Sequence, residues 1–166
     1  VKRLILILLL SFFPLTVFSF DWAVTGGPVT YFPAGKHVPE GLYAQAGARF
    51  VLTPRIELEL YASPQITPEP FSAVGFGVLA GFNLLEDIEP AYFHMIADAG
   101  VFFSYVSETQ EMHPKIQVRL SPLSIGNPYY RYRGRLLTFG VLYDLKDQSV
   151  SFSFSMWIQN WFVSRH

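Results

Sequence analysis

The stretch Ser149-Val150-Ser151-Phe152-Ser153-Phe154-Ser155-Met156-Trp157-Ile158 sets a column of serines against Val, Phe, Met and Ile. Alternation with period two belongs to a β-strand, whose successive side chains point to opposite faces. A helix cannot use it, because residues two apart fall on opposite sides. The expected strand carries its apolar face through Ile158, with Trp157 in the serine column and Asn160 on the apolar phase. A strand of a soluble sandwich has the same look. The decision between the two rests on how often the pattern recurs, and behind what leader.

It recurs along the whole chain. Leu137, Phe139, Val141 and Tyr143 oppose Thr138, Gly140 and Leu142, and a slip of phase near Gly134 predicts a bulge. From Lys115 to Pro122, Ile116, Val118 and Leu120 oppose Gln117, Arg119 and Ser121. From Tyr92 to Tyr105, Phe93, Met95, Ala97, Ala99, Val101 and Phe103 oppose His94, Ile96, Asp98, Gly100 and Ser104. From Ala73 to Leu84 the polar phase carries Gly75, Gly77 and Gly81. Glycine at alternate positions weakens a strand unless that face is crowded, as the inside of a narrow barrel is. Ile56 to Ala62, Leu42 to Leu52 and Phe20 to Phe32 bring the count to eight. The proline-bearing stretches Phe32 to Gly41 and Ser63 to Phe71 read as loops, as does polar Val106 to Pro114.

Two registers follow from the turns. The tight turn Thr53-Pro54-Arg55 pairs Leu52 with Ile56, which sets Arg49 opposite Glu59 within ion-pair reach. An apex near Glu108 sets Asp98 across from Arg119.

At the other end of the chain, Lys2 and Arg3 precede the apolar run Leu4 to Leu10, which continues to Phe18 around Pro14. Residues 1–19 therefore read as a signal peptide. An uncleaved anchor helix is the alternative; it would be at the short end of the span and interrupted by Pro14. Cysteine is missing from the sequence, which excludes disulfides and thiol chemistry. After Ser19 no apolar run reaches the length of a membrane helix, yet mean hydropathy is positive and aromatics make up 17% of the chain. Beyond the leader the lysines are Lys36, Lys115 and Lys146, all at expected loops or strand ends. The mid-strand charges are few and of mixed sign: Arg49, Glu57, Glu59, Asp98 and Arg119. With His94 they form the expected polar network of an enclosed lumen.

Transmembrane strands need about 9–11 residues and bacterial barrels use even numbers of them. A sheet enters a bilayer only when closed, since every backbone group must be paired there. The sequence thus predicts an all-β, antiparallel, eight-stranded up-and-down transmembrane barrel over residues 20–166, a single domain behind a signal peptide.

With its leader, eight amphipathic strands and aromatic final strand, the chain resembles the small outer-membrane barrels of the OmpW, OmpX and OmpA type. Pro122 to Tyr130 followed by Phe139 to Asp144 looks like the small barrels of spirochaetes such as treponemes. The resemblance covers Phe20 to Val163 as a pattern. It implies a place in the bacterial outer membrane, lipids as neighbours, and insertion by the barrel-assembly machinery, which reads a terminal aromatic. Here Phe162 is followed by Val163-Ser164-Arg165-His166. Two functions are implied: a narrow conduit for small hydrophobic or weakly polar molecules, or a non-transporting scaffold whose loops bind host or envelope partners. A monomer is expected.

No catalytic, cofactor or metal site is expected, and the chain does not read as an enzyme. His94 and Asp98 lie four residues apart on one strand, about 13 Å, too far for a dyad. His37, His113 and His166 show no metal spacing, and the serine column reads as lumen filler. The run Tyr130, Arg131, Tyr132, Arg133, continued by Arg135, reads as an aromatic-basic belt at a membrane interface rather than a nucleic-acid surface. Gly26 and Gly27 are the expected place for a lateral opening in the wall.

Overall fold

The computed structural model describes residues 21–35, 40–53, 55–84, 93–127 and 132–164, without the side chains at 93, 94, 125–127, 132, 133 and 162–164. Nine strand segments form one sheet: β1 (Asp21–Pro33), β2 (Gly41–Val51), β3 (Ile56–Thr67), β4 (Ala73–Asn83), β5 (Phe93–Val106), β6 (Glu111–Asn127), β7 (Tyr132–Asp144), β8 (Val150–Ser155) and β9 (Ile158–Ser164). Each of β1 to β7 pairs antiparallel with the next, and β8 and β9 are two halves of one wall strand. Both halves pair with β7 on one side and with β1 on the other. The sheet is therefore a closed eight-stranded barrel, and closure removes every edge. Residues 1–19, expected from the sequence to be a signal peptide, lie outside the described residues.

Two strands run further than the prolines suggest. β3 continues through Pro64 to Thr67, and β6 begins at Glu111, ahead of Pro114. The β2–β3 ladder omits Ser63 and Pro64 and resumes at Gln65, so the residue lacking an N–H falls where that ladder is interrupted. Pro114 lies just before the β6–β7 ladder starts at Lys115, and its carbonyl accepts from the Leu145 N–H at 2.9 Å. A proline ends a strand only where its N–H was owed.

The faces sort by polarity in the inverse of a water-soluble barrel. Phe76, Val118, Phe139 and Phe152 on the outer phase are each about half exposed, and their neighbours on that phase are apolar too. Arg49, Glu59, Asp98, Arg119 and Arg135 on the inner phase are at most 2% exposed.

One irregularity crosses the wall at a single height. Against β5 and β7, β6 holds one extra residue at Pro122. Between the pairs Leu123↔Leu137 and Ser124↔Arg135, β7 holds one extra residue, Leu136. This is the expected bulge, two residues past Gly134. The last strand is broken at Met156-Trp157, where it too has one residue more than β1 across the seam. A one-residue slip turns every following side chain to the other face. Trp157 and Trp161 therefore point outward, while Ile158 and Asn160 point into the lumen, fully buried. The expectation that the apolar face runs unbroken through Ile158, with Trp157 inside, is corrected here. The misfit of Asn160 goes with it.

Candidate functional site

The barrel's inward phase delivers six charges to one level. Arg49 (β2) lies directly opposite Glu59 (β3), and Asp98 (β5) opposite Arg119 (β6), both as the turns require. Around the lumen these groups close a ring. Arg49 Nη2 donates to Glu59 Oε2 at 2.6 Å, and Arg119 Nη2 donates to the same oxygen at 2.5 Å. Arg119 Nε reaches Asp98 Oδ2 at 3.2 Å. Arg135 (β7) holds Asp98 with Nη1 and Nη2, and donates to Glu57 Oε1 (β3) at 2.6 Å. Glu57 returns to Arg49 at 3.8 Å. Three guanidinium groups alternate with three carboxylates, so the ring is neutral and each charge has two opposite neighbours. Isolated in an interior, any one of these charges would be very costly; paired on both sides, it is held.

The sequence brings five of these residues forward and misses Arg135, which stands in the run expected to form an interfacial belt. Its signal was arithmetic: two inward arginines faced three inward carboxylates and wanted a third cation. The bulge at Leu136 supplies it, by putting Arg135 and Thr138 on the same face although they are three apart. The side chain of His94 lies outside the description. Tyr130 and Arg131 do as well. Tyr132 and Arg133 open β7, paired with Asn127 and Gly126, and their side chains are not described either.

Above the ring, on the side away from Asp21 and Ser164, the lumen is filled by aromatic rings. Tyr31 meets Tyr43 edge-on at 4.8 Å, and Tyr61 stacks on Phe102 at 6.0 Å. Leu79 and Leu142 complete the layer. Tyr61 covers Gly77 and Phe102 covers Gly75 so closely that a Cβ at either glycine would collide with the ring. The alternating glycines of β4 are thus seats for aromatic rings. Arg119 joins the two layers, its guanidinium 5.4 Å from the Tyr61 ring centre, and the Tyr61 hydroxyl donates to Gln117.

Beyond the aromatic layer the barrel opens into a cup of about 240 Å³, floored by Tyr31, Tyr43 and Phe102 and rimmed by Glu40, Lys115 and Asp144. In the wall, Thr25 and Asn160 face each other across the β1–β9 seam, both buried, with no hydrogen-bond partner for their side chains among the described residues.

The glycines expected at a lateral opening sit in this seam. Gly26 pairs with Ala46 and with Gln159, and the Trp161 indole lies over its outer side. Gly27 lies against the Trp157 carbonyl, where a Cβ would collide. Seam pairing stops at Gly26 and resumes at Thr30; between them the Ser155 hydroxyl donates to the Pro28 carbonyl at 2.6 Å.

No family model and no curated protein matches the chain. Among solved structures it is similar to the N-terminal β-barrel domain of Pseudomonas aeruginosa OprF, with 10% identity, a TM-score of 0.47, and coverage of 83% of this chain and 96% of that one. At that distance the likeness is one of strand arrangement and says nothing of activity.

Proposed function

We propose that the chain is an integral outer-membrane barrel with a sealed lumen, a monomeric scaffold that works at its wall and mouth rather than as a lengthwise channel. The observation that carries this reading is the pairing of an apolar outer face with a neutral ring of six buried charges inside, each between two of opposite sign. The apolar outer face is unfavourable in water and favourable in lipid, and the enclosed ring compensates its own charges without either solvent. The ring leaves no uncompensated charge to draw an ion inward, and the aromatic layer closes the same cross-section again. On this reading lipids are the permanent neighbours, the barrel-assembly machinery inserts the chain, and no catalysis takes place.

The measurement is a lysine scan of the wall. Val118→Lys should destabilise the barrel in lipid by about 2–4 kcal/mol if Val118 lies near the bilayer midplane. Heat-modifiable migration on gels and a need for detergent should accompany it. A native chain that stays monodisperse without detergent would overturn the membrane assignment.

A second reading, a narrow passage for small hydrophobic or weakly polar molecules, is favoured by one feature, the interrupted seam beside Gly27. Apolar solutes entering there would leave sideways and never cross the ring. Uptake of a small apolar dye by liposomes, without steady ion current in planar bilayers, would support it. Large porin-like currents would sink both readings.

A further inference from the structure

We propose that His113, Asp144 and Asp147 form a binding site for a divalent transition-metal ion of the zinc class at the mouth of the barrel. His113 comes from the first turn-proximal residues of β6, Asp144 ends β7, and Asp147 lies in the turn that follows. Their donor atoms converge: His113 Nδ1 stands 3.1 Å from Asp144 Oδ2 and 3.3 Å from Asp147 Oδ2, and one donor atom from each residue fits within 4.8 Å of the others. Zinc binds nitrogen and oxygen at about 2.0–2.2 Å, so neighbouring ligand atoms in a tetrahedron around it lie about 3.3–3.6 Å apart. Two of the spacings, 3.1 and 3.3 Å, come within about 0.2 Å of that range.

Hydrogen bonding alone leaves this arrangement one donor short. A neutral imidazole carries a single N–H, and Nδ1 faces two carboxylate oxygens at once. A cation seated among the three atoms satisfies all of them. The surroundings also hold the ligands in the way outer contacts of metal sites do. Asp144 is almost fully buried, and its other oxygen, Oδ1, accepts the backbone N–H groups of Lys146 at 2.9 Å and Asp147 at 3.1 Å, which aims Oδ2 at the imidazole. The far ring nitrogen of His113 faces Glu111 Oε2 at 3.5 Å, a carboxylate placed to accept from Nε2–H and so favour the tautomer that leaves Nδ1 free to ligate.

Two lysines bear on the charge. Lys146 is engaged with Glu111 at 2.9 Å. Lys115 stands 3.6 Å from Asp144 Oδ2, beyond hydrogen-bond length, and its flexible stem borders the cup. Three carboxylates against two ammonium groups leave the cluster short of positive charge. His113, Asp144 and Asp147 all line the 240 Å³ cup, so the ion's remaining position opens onto it. Three protein ligands plus one open position suit a site that captures an ion or a metal-bound small molecule from outside, rather than a closed structural site. The single imidazole selects zinc or its transition-metal neighbours over calcium and magnesium, which prefer all-oxygen shells.

The test uses the untagged chain folded in detergent, with ZnCl₂ titrated against a chromogenic chelator and CoCl₂ added separately for its visible absorption. The native chain should take up one zinc ion, give a cobalt spectrum with a nitrogen ligand, and unfold at a higher temperature with zinc than without. His113→Ala and Asp147→Asn should each abolish saturable uptake while keeping heat-modifiable migration, which reports that the barrel has folded. Glu111→Gln should weaken uptake about 10-fold, as the loss of an outer-shell partner does. Glu40→Gln, across the cup, should leave it unchanged. No saturable uptake by the folded native chain would overturn the proposal. Equal uptake by His113→Ala, or loss of uptake on His37→Ala instead, would overturn it as well.

Discussion

The ring at mid-lumen and the cluster at the mouth are built from similar groups, yet the ring is buried throughout, whereas the cluster is largely buried at Asp144 and His113 and open to water at its outer members. Every ring charge is at most about 5% exposed and has two opposite partners. At the mouth, Glu111, Lys146 and Asp147 are each about half exposed. Water screens the second set and not the first. The lesson is that ion pairs seen in one barrel are not one class: the buried set fixes the lumen, and the exposed Glu111–Lys146 pair is free to exchange partners.

Removing one member of the ring should show the contrast at its largest. Arg135→Ala leaves Glu57 and Asp98 facing each other without their shared cation, and a broken buried pair typically loses about 3–5 kcal/mol. Urea unfolding in detergent or lipid measures it. Arg49→Ala and Glu59→Ala should each be harmful, and the double variant less harmful than their sum, with a coupling of about 0.5–3 kcal/mol. Additive losses would mean that the ring does not act as a unit.

A smaller effect belongs to the layer above. Gly77→Val puts two methyl groups where the Tyr61 ring lies, and overpacking of this kind destabilises by about 1–3 kcal/mol. Combined with Tyr61→Leu, part of the loss should return. If Gly77→Val is silent on its own, the lumen has slack that the packed reading denies.

The smallest effect is expected at the rim. Lys146→Ala removes the partner of Glu111, and the unfolding midpoint should stay where it was at any salt concentration. A ring-sized loss there would erase the distinction between the two regions.

Much of this was legible before any coordinates. Turn length fixes pairing by counting, so Arg49↔Glu59 and Asp98↔Arg119 follow from Thr53–Arg55 and from an apex near Glu108. Period-two alternation finds the strands and their faces wherever pairing is regular. It fails at insertions, because one extra residue turns the remainder of the strand over without changing its composition. Plain alternation puts Arg135 on the outside for that reason, and Ile158 and Asn160 on the apolar phase. Two expected loops mislead in another way: proline-bearing Ser63 to Phe71 and polar Val106 to Pro114 both read as loops, but the bond that Pro64 or Pro114 lacks is one that its neighbour does not request. The mouth cluster was invisible to spacing, since His113 and Asp144 are 31 residues apart and meet only through the β6–β7 pairing.

The row of extra residues at Pro122, Leu136 and Met156 has a consequence for descent. Deleting one alone would throw its strand out of step with a neighbour that keeps its own. Deleting all three together would restore plain pairing from β5 round to β1 and leave every lumen residue facing the lumen. Length changes at this height can therefore be inherited only in concert. Three stretches of sequence separated by more than a dozen residues should gain and lose their single-residue gaps as one character.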